Sequence, residues 1–273
     1  GLSIVKQLVE LMGGKVSVNS VYTQGSTFKV ITAACAIENI PDVYTRTFEC
    51  EGKIQIGEGY VICSGTHGEI DFEKAMNKSC NCAFAVIADE LGSEKLTATA
   101  ERLGFNTKNI TVSNKIKCAK SKLNLTESAP LDMGWAGIGQ YTTLINPCQM
   151  LTMISAIANN GTAVSPYLVS EIKNPEGEVT FFEKTETLGE FFSPSVAQSL
   201  HNLLRSNVKN QYGDSYFKGM EMCGKTGTAE ISDDEDAKIA IDKIISVIEG
   251  QFRKYKTKIE KRNKNVDYSM FVV

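Results

Sequence analysis

The chain has little net charge, few histidines and no long apolar run. Its formal net charge is −3, with both signs spread along 273 residues, so no basic surface for nucleic acid is expected. No apolar run is long enough to cross a membrane, and no signal peptide is visible. We therefore expect neither a nucleic-acid partner nor a transmembrane segment within this chain.

Metal ligands with a recognisable spacing are also missing. The chain has eight cysteines and two histidines, but it contains no Cys-x-x-Cys pair. The cysteine spacing is irregular, and only His67 and His201 could complete a ligand set, so we expect no zinc site. The simpler interpretation is that the cysteines are small buried thiols that form no disulfides. We expect neither a metal nor another cofactor.

The composition is that of a folded protein. Hydrophobic residues make up 42% and charged residues 22%, which is enough to bury a core. The length allows one large domain or two small ones. Because the chain begins with Gly1 rather than methionine, we expect a fragment, and an upstream membrane anchor stays an open possibility.

Three short motifs occur in a fixed order along the chain. They are Ser26-Thr27-Phe28-Lys29, Ser79-Cys80-Asn81 and Lys225-Thr226-Gly227. Each one alone would be weak evidence, because a capping serine, a polar helix end or an ordinary turn explains it equally well. Their joint occurrence in this order points to a single active site.

The first motif can form an activated nucleophile. Ser26 and Lys29 are three residues apart, so on a helix their side chains lie on one face. A serine hydroxyl needs a base to take its proton, and a lysine can serve if its pKa is lowered. Burial and a second cation such as Lys225 would both lower the pKa of Lys29.

The three motifs together resemble those of penicillin-binding proteins and serine β-lactamases, from residue 25 to about residue 230. The resemblance implies catalytic roles for Ser26, Lys29 and Ser79. It implies that Asn81 holds the peptide bond of the substrate. It assigns carboxylate binding to Lys225, Thr226 and Thr228, close approach of substrate to Gly227, and oxyanion N–H groups to Ser26 and Thr228.

The resemblance also implies a fold and a reaction. The expected fold class is α/β (α+β), serine β-lactamase/transpeptidase-like, mostly helical with an incomplete central antiparallel sheet. The expected activity is that of a D-Ala-D-Ala transpeptidase or carboxypeptidase, with a peptidoglycan stem peptide as substrate and β-lactam antibiotics as ligands. The location would be the extracytoplasmic face of the bacterial membrane. A transpeptidase is preferred to a β-lactamase because the chain lacks a suitably placed Glu-x-x-Leu-Asn segment.

A second resemblance concerns the start of the chain. The segment from Gly1-Leu-Ser-Ile to Gly25-Ser-Thr-Phe28 resembles the end of a sensor histidine kinase ATPase domain. The asparagine-bearing helix and the earlier glycine box of that family do not precede it, so nucleotide binding is not expected. We divide the chain into a kinase-like fragment at 1–24, a transpeptidase domain at 25–231 and a tail at 232–273. A nucleotide-binding kinase remnant and a non-functional chimera remain the alternatives.

Periodicity and turn residues predict the main elements. Strands are expected at 15–20, 219–230 and 268–273, and the pairs Phe181-Phe182 and Phe191-Phe192 are expected in the core. Helices are expected at 2–12, 26–39, 72–91 with a break around 77–81, 96–103, 148–159, 194–208 and 237–259.

Overall fold

The computed structural model describes residues 21–107, 110–113, 116–216 and 219–228. The predicted elements at 2–12, 15–20, 237–259 and 268–273 lie outside these ranges. The described helices are α1 (Lys29–Asn39), α2 (Phe72–Asn77), α3 (Asn81–Arg102), α4 (Pro130–Gly137), α5 (Pro147–Ala158) and α6 (Pro194–Gln211). The described strands are β1 (Tyr22–Thr23), β2 (Thr47–Cys50), β3 (Lys53–Ile56), β4 (Gly59–Ile62), β5 (Gly68–Asp71), β6 (Thr111–Val112), β7 (Ile116–Lys117), β8 (Leu144–Ile145), β9 (Thr162–Val164), β10 (Glu171–Lys173), β11 (Val179–Phe182) and β12 (Thr187–Glu190).

Helix α1 runs through the centre of the core. Its residues from Lys29 to Ala36 are all buried. Three alanines and a cysteine among them keep the helix thin, so α3 and α6 can pack closely against it. The first residue of this buried helix is a lysine, which places an amine inside the molecule.

Helices α2 and α3 are separated by the second motif. The Asp71 side chain caps α2 by accepting from the Lys74 N–H, and the Cys80 sulfur accepts from the Ala83 N–H at the start of α3. Gly92 has a φ of 74° and kinks α3, which then continues to Arg102. The predicted break around 77–81 is confirmed, and the predicted helix at 96–103 is the continuation of α3.

Among the described residues, the strands form six antiparallel pairs of two strands each. Strand β2 pairs with β5 so that Cys50 lies opposite Gly68, and β3 pairs with β4 through a tight hairpin. Both pairs pack against α3. They bring the end of β2 and the residue after β4 close to the N-terminus of that helix.

Two sequence predictions are wrong in the described part of the chain. Residues 221–228 form no strand there, because their polar backbone groups bond to α6 instead: the Gly224 N–H donates to Leu204 O at 3.2 Å and Asn207 Nδ2 donates to Gly224 O at 2.6 Å. The pair Phe181-Phe182 is exposed, at 37% and 71%, because β11 pairs only with β10 in an exposed hairpin.

Other predictions about buried residues and helices agree with the structure. The pair Phe191-Phe192 is buried, as expected. The helices predicted at 148–159 and 194–208 correspond to α5 and α6. Helix α4 was missed. Within the described ranges, no helix combines the length and apolar character that crossing a membrane requires.

Candidate active site

Ser26 lies in a short 3₁₀ turn, Gly25–Thr27, directly before α1. The Gly25 N–H donates to the Gly139 carbonyl at 2.9 Å, and Thr27 Oγ1 donates to the Gln24 carbonyl at 2.9 Å. Ser26 itself is only half-buried. Ser26 is therefore partly exposed, on a turn that hydrogen bonds from Gly25 and Thr27 hold in place.

The amine of Lys29 joins the first motif to the second. Its Nζ lies 2.9 Å from Ser26 Oγ and 3.2 Å from Ser79 Oγ. It also donates to the Ser79 carbonyl at 2.8 Å and to Asn81 Oδ1 at 2.6 Å. Burial, followed by the positive charge of Lys225, lowers the pKa of Lys29 from 10.5 to about 7. Near neutral pH this amine can therefore act as a base towards Ser26.

The second motif has a strained backbone and a fixed amide. Ser79 has a φ of +52°, a left-handed conformation that costs about 1–3 kcal/mol for a residue other than glycine. Asn81 Nδ2 donates to the Ile62 carbonyl at 2.8 Å, while its Oδ1 accepts from Lys29. The Asn81 side chain is held from both ends.

Lys225 of the third motif reaches the same serine. Its Nζ lies 2.8 Å from Ser79 Oγ and 2.9 Å from the Thr226 carbonyl. Burial lowers the pKa of Lys225 from 10.5 to about 8. The Ser79 hydroxyl thus connects two amines, each with a lowered pKa, in one hydrogen-bonded group.

The rest of the third motif is exposed and faces the nucleophile turn. Thr226 Oγ1 lies 3.0 Å from the Tyr212 hydroxyl, and Thr228 is also exposed. A Cβ built on Gly227 would lie 2.7 Å from the Gln24 carbonyl oxygen. The sequence predicts that Gly227 makes room for substrate. The structure adds that a side chain at this position would collide with the turn that carries Ser26.

Sequence reasoning missed several supporting residues. Gly139 has a φ of +85°, and a Cβ there would overlap the Gly25 carbonyl. Asn207 is 3% exposed and holds the Gly224 carbonyl, while Tyr212 contacts Thr226. The only indication of these residues in the sequence was Asn207, a polar residue on the otherwise apolar buried face of α6.

The cysteines are arranged differently from the sequence expectation. The sulfur atoms of Cys50, Cys63, Cys80 and Cys82 all lie within 4.8 Å of one another, and all four residues are buried. Irregular sequence spacing hid this cluster, because the strands β2–β5 bring distant positions together. His67 places its Nδ1 3.4 Å from the Cys50 sulfur. His201, the other histidine, is exposed.

Comparisons with known proteins find relatives of this chain among peptidoglycan D,D-transpeptidases. A peptidoglycan D,D-transpeptidase PbpA from Mycolicibacterium smegmatis is 30% identical over 230 residues, which are 78% of this chain and 44% of the relative. Stage V sporulation protein D from Bacillus subtilis is 26% identical over 219 residues, or 77% of this chain and 33% of the relative. The chain therefore spans less than half the length of these curated relatives.

Two solved structures share the fold. One is penicillin-binding protein A from Mycobacterium tuberculosis as a ceftriaxone acyl-enzyme complex, with a TM-score of 0.70, 26% identity, and coverage of 80% of this chain and 50% of that one. The other is the D,D-transpeptidase domain of a peptidoglycan glycosyltransferase from Eggerthella lenta, with a TM-score of 0.70, 27% identity, and coverage of 85% and 61%.

The family comparison covers most of the chain. The model of the penicillin-binding protein transpeptidase domain matches residues 12–259. This match begins inside the segment that the sequence predicts to be kinase-like, and it supports no kinase assignment there. The chain belongs to the penicillin-binding protein transpeptidase domain family.

Proposed function

We propose that this chain is the acyl-transferring domain of a penicillin-sensitive D,D-transpeptidase that cross-links peptidoglycan. The observation that carries the proposal is the buried Lys29 amine, 2.9 Å from Ser26 Oγ, with a pKa of about 7. A neutral amine at that distance can accept the proton of the serine hydroxyl. The named transpeptidases and the acyl-enzyme among the similar proteins support the same chemistry.

In the proposed reaction, Ser26 attacks the carbonyl carbon of a D-Ala-D-Ala peptide bond. Lys29 takes the hydroxyl proton, and an ester to Ser26 forms. The peptide C–N bond breaks, and D-Ala leaves after its nitrogen receives a proton through Ser79. The amine of a second stem peptide then attacks the ester carbonyl and gives up a proton, which reaches the Ser26 oxygen through Lys29 as the ester C–O bond breaks and the cross-link forms. A β-lactam would acylate the same oxygen.

The third motif and Asn81 are proposed to hold the substrate. Lys225 carries the positive charge that suits the terminal carboxylate, and the exposed hydroxyls of Thr226 and Thr228 can donate to it. Asn81 offers both an acceptor and a donor to the peptide bond. The backbone N–H groups of Ser26 and Thr228 are the proposed oxyanion donors.

We also propose the location and the division of the chain. A stem-peptide substrate places the domain outside the cytoplasmic membrane. Residues 1–24, 25–231 and 232–273 are proposed as three segments, of which the first resembles the end of a kinase ATPase domain. The family match to residues 12–259 includes parts of all three segments. This favours three segments of one domain over three units with separate functions.

Labelling with a fluorescent penicillin tests the assignment of the nucleophile. The folded chain should take up one label, and digestion should place it on the peptide that contains Ser26. Ser26→Ala should abolish labelling, whereas Ser64→Ala, a change at an exposed serine, should not affect it. A label on Ser79, or none on folded protein, would defeat the proposal.

A further inference from the structure

Four cysteine side chains converge on one point behind the second motif. Cys50 ends β2, Cys63 follows β4, and Cys80 and Cys82 flank the first residue of α3. Their sulfur atoms all lie within 4.8 Å of one another, and the Cys63 and Cys80 sulfurs are 3.9 Å apart. Four zinc–sulfur bonds of about 2.3 Å in a tetrahedron would separate the sulfurs by about 3.8 Å. The spacing of the four sulfurs therefore needs little adjustment to surround one metal ion.

Nitrogen atoms lie within hydrogen-bond distance of three of these sulfurs. The Asn81 N–H donates to the Cys63 sulfur at 3.2 Å, and the Ala83 N–H donates to the Cys80 sulfur at 3.5 Å. His67 Nδ1 lies 3.4 Å from the Cys50 sulfur. Backbone N–H groups at a helix N-terminus stabilise negative charge, and hydrogen bonds to the ligands are typical of metal–thiolate sites. Ordinary apolar packing of thiols does not require such donors.

We propose that Cys50, Cys63, Cys80 and Cys82 bind one zinc ion through four thiolate sulfurs. Zinc favours four-coordinate tetrahedral sulfur ligation in structural sites. Binding would release the thiol protons to solvent and leave His67 as an outer partner that donates to the Cys50 sulfur. A closed set of four protein ligands makes the role of the metal structural and not catalytic.

The metal would fix the geometry of the second motif. Cys80 lies between Ser79 and Asn81, and Ser79 has a strained left-handed backbone. A bond from the metal to Cys80, with further bonds to Cys50 and Cys63, would tie this strained segment to β2 and to the end of β4. The effect of the metal on the second motif rests on the proposed function, because that motif belongs to the proposed catalytic site. Metal binding itself does not depend on the proposed function.

Metal content of the full chain is the first test. The chain, purified without chelators, should hold one zinc ion per molecule by mass spectrometry of the metal. After reduction and chelation, titration with cobalt(II) alone should produce the strong visible and near-ultraviolet absorption of tetrahedral thiolate ligation. The proposal is overturned if neither zinc nor cobalt(II) binds the reduced, folded chain. Disulfides among these cysteines, with no metal uptake after reduction, would also overturn it.

Matched pairs of cysteine variants assign the ligands. The Cys50→Ala/Cys82→Ala variant should lose at least ~100-fold in zinc affinity, more than loss of an outer-shell partner typically costs. The control is Cys118→Ala/Cys148→Ala, which removes two neighbouring thiols outside the cluster and should keep the full zinc content. His67→Ala should weaken binding by only about 10–100-fold. Equal zinc binding by the two double variants would contradict the proposal, and loss of zinc in His67→Ala with retention in Cys82→Ala would refute the four-sulfur ligand set.

The effect of the metal on the active site is measured in a separate experiment. Chelation of the wild-type chain should lower its melting temperature and slow acylation by penicillin, and added zinc should restore both. Chelation should change neither quantity in Cys50→Ala/Cys82→Ala. If zinc binds but penicillin never acylates the chain, the proposed function fails and the metal site stands. If acylation is normal and no metal binds, only the metal site fails.

Discussion

The side-chain amine of Lys29 has no solvent exposure, yet it lies within hydrogen-bond distance of four oxygen atoms. Two effects act on its pKa in opposite directions: burial and the charge of Lys225 lower it, while negative charge at Cys63, Cys80 and Cys82 raises it. The balance leaves its pKa about 7, where a neutral fraction exists near neutral pH. Lys225, less deeply buried, keeps its charge to about pH 8.

These two pKa values predict a bell-shaped pH dependence of penicillin acylation. The rate should rise through pH about 7 as Lys29 loses its proton, and fall above about 8 as Lys225 loses the charge that binds the ligand carboxylate. Stopped-flow acylation across this range measures the profile. Lys225→Arg should remove the alkaline fall, because a guanidinium stays charged. A wild-type rate that does not change through pH 7 would argue against Lys29 as the base.

Replacing Lys29 should change how stability depends on pH. The folded pKa is about 7 and the unfolded value is 10.5, so between these values the unfolded chain holds more protons. The destabilisation caused by the buried charge is full below pH 7 and disappears as the pH rises towards 10.5. Relative to Lys29→Met, the wild-type free energy of unfolding should therefore rise by up to about 1.4 kcal/mol per pH unit in this window.

Urea unfolding of both proteins at several pH values tests this expectation. The same variant should lose about 10²- to 10⁴-fold in acylation rate, the usual contribution of a general base. Parallel stability curves for Lys29→Met and the wild type would show that the amine is not desolvated in the folded chain.

At the residue scale, local spacing predicted only part of the site. Ser26 and Lys29 are close in sequence, so helical geometry was enough to pair them. The contact of Lys29 with Ser79 spans 50 residues, and that of Lys225 with Ser79 spans 146 residues. Those contacts were expected only from the family resemblance. The cysteine cluster was missed because it depends on strand pairing that no short motif reveals.

At the element scale, the 3₁₀ turn that carries Ser26 lies between two glycines from distant segments. Gly139 faces the Gly25 carbonyl, and Gly227 faces Gln24 and Thr27. The helices were predictable because their apolar periodicity and caps are local. The strand predicted at 219–230 is absent over residues 221–228, where hydrogen bonds to α6 hold the backbone. A local pattern cannot show such contacts.

Gly139→Ala should damage both the fold and the site. A methyl group there overlaps the Gly25 carbonyl and also lies 2.8 Å from Phe28 Cβ. We expect a loss of about 1–3 kcal/mol from overpacking and a further loss of about 1–2 kcal/mol from its positive φ. Displacement of the turn by about 1 Å would slow acylation roughly 100-fold.

Gly177→Ala is the matched control for this change. Gly177 has nearly the same φ, +87° against +85°, but nothing lies within 4 Å of its added Cβ. It should lose only the conformational part, about 1–2 kcal/mol, and acylate at the wild-type rate. Urea unfolding and the acylation rate of both variants provide the comparison. Equal acylation rates would mean that Gly139 does not position Ser26.

At the scale of the whole molecule, the α/β class and the family could be predicted, because three motifs occur in order. The completeness of the sheet could not be derived from the motifs, since strand pairing depends on contacts between distant segments. Among the described residues the strands remain in pairs. The family match to residues 12–259 also extends further in both directions than the resemblance at 25–230 indicated.

The last prediction concerns the first segment of the chain. The family comparison does not support the sequence interpretation of residues 1–24 as the end of a kinase ATPase domain. The sequence also contains neither the asparagine-bearing helix nor the earlier glycine box that would complete a nucleotide site. Part of this segment also belongs to the transpeptidase match. The full chain should therefore give no saturable heat when titrated with ATP and magnesium by calorimetry. Acylation by penicillin in the same preparation provides the control that the protein is folded. Binding of ATP in the micromolar range would revive the kinase interpretation and would require a nucleotide site built without those elements.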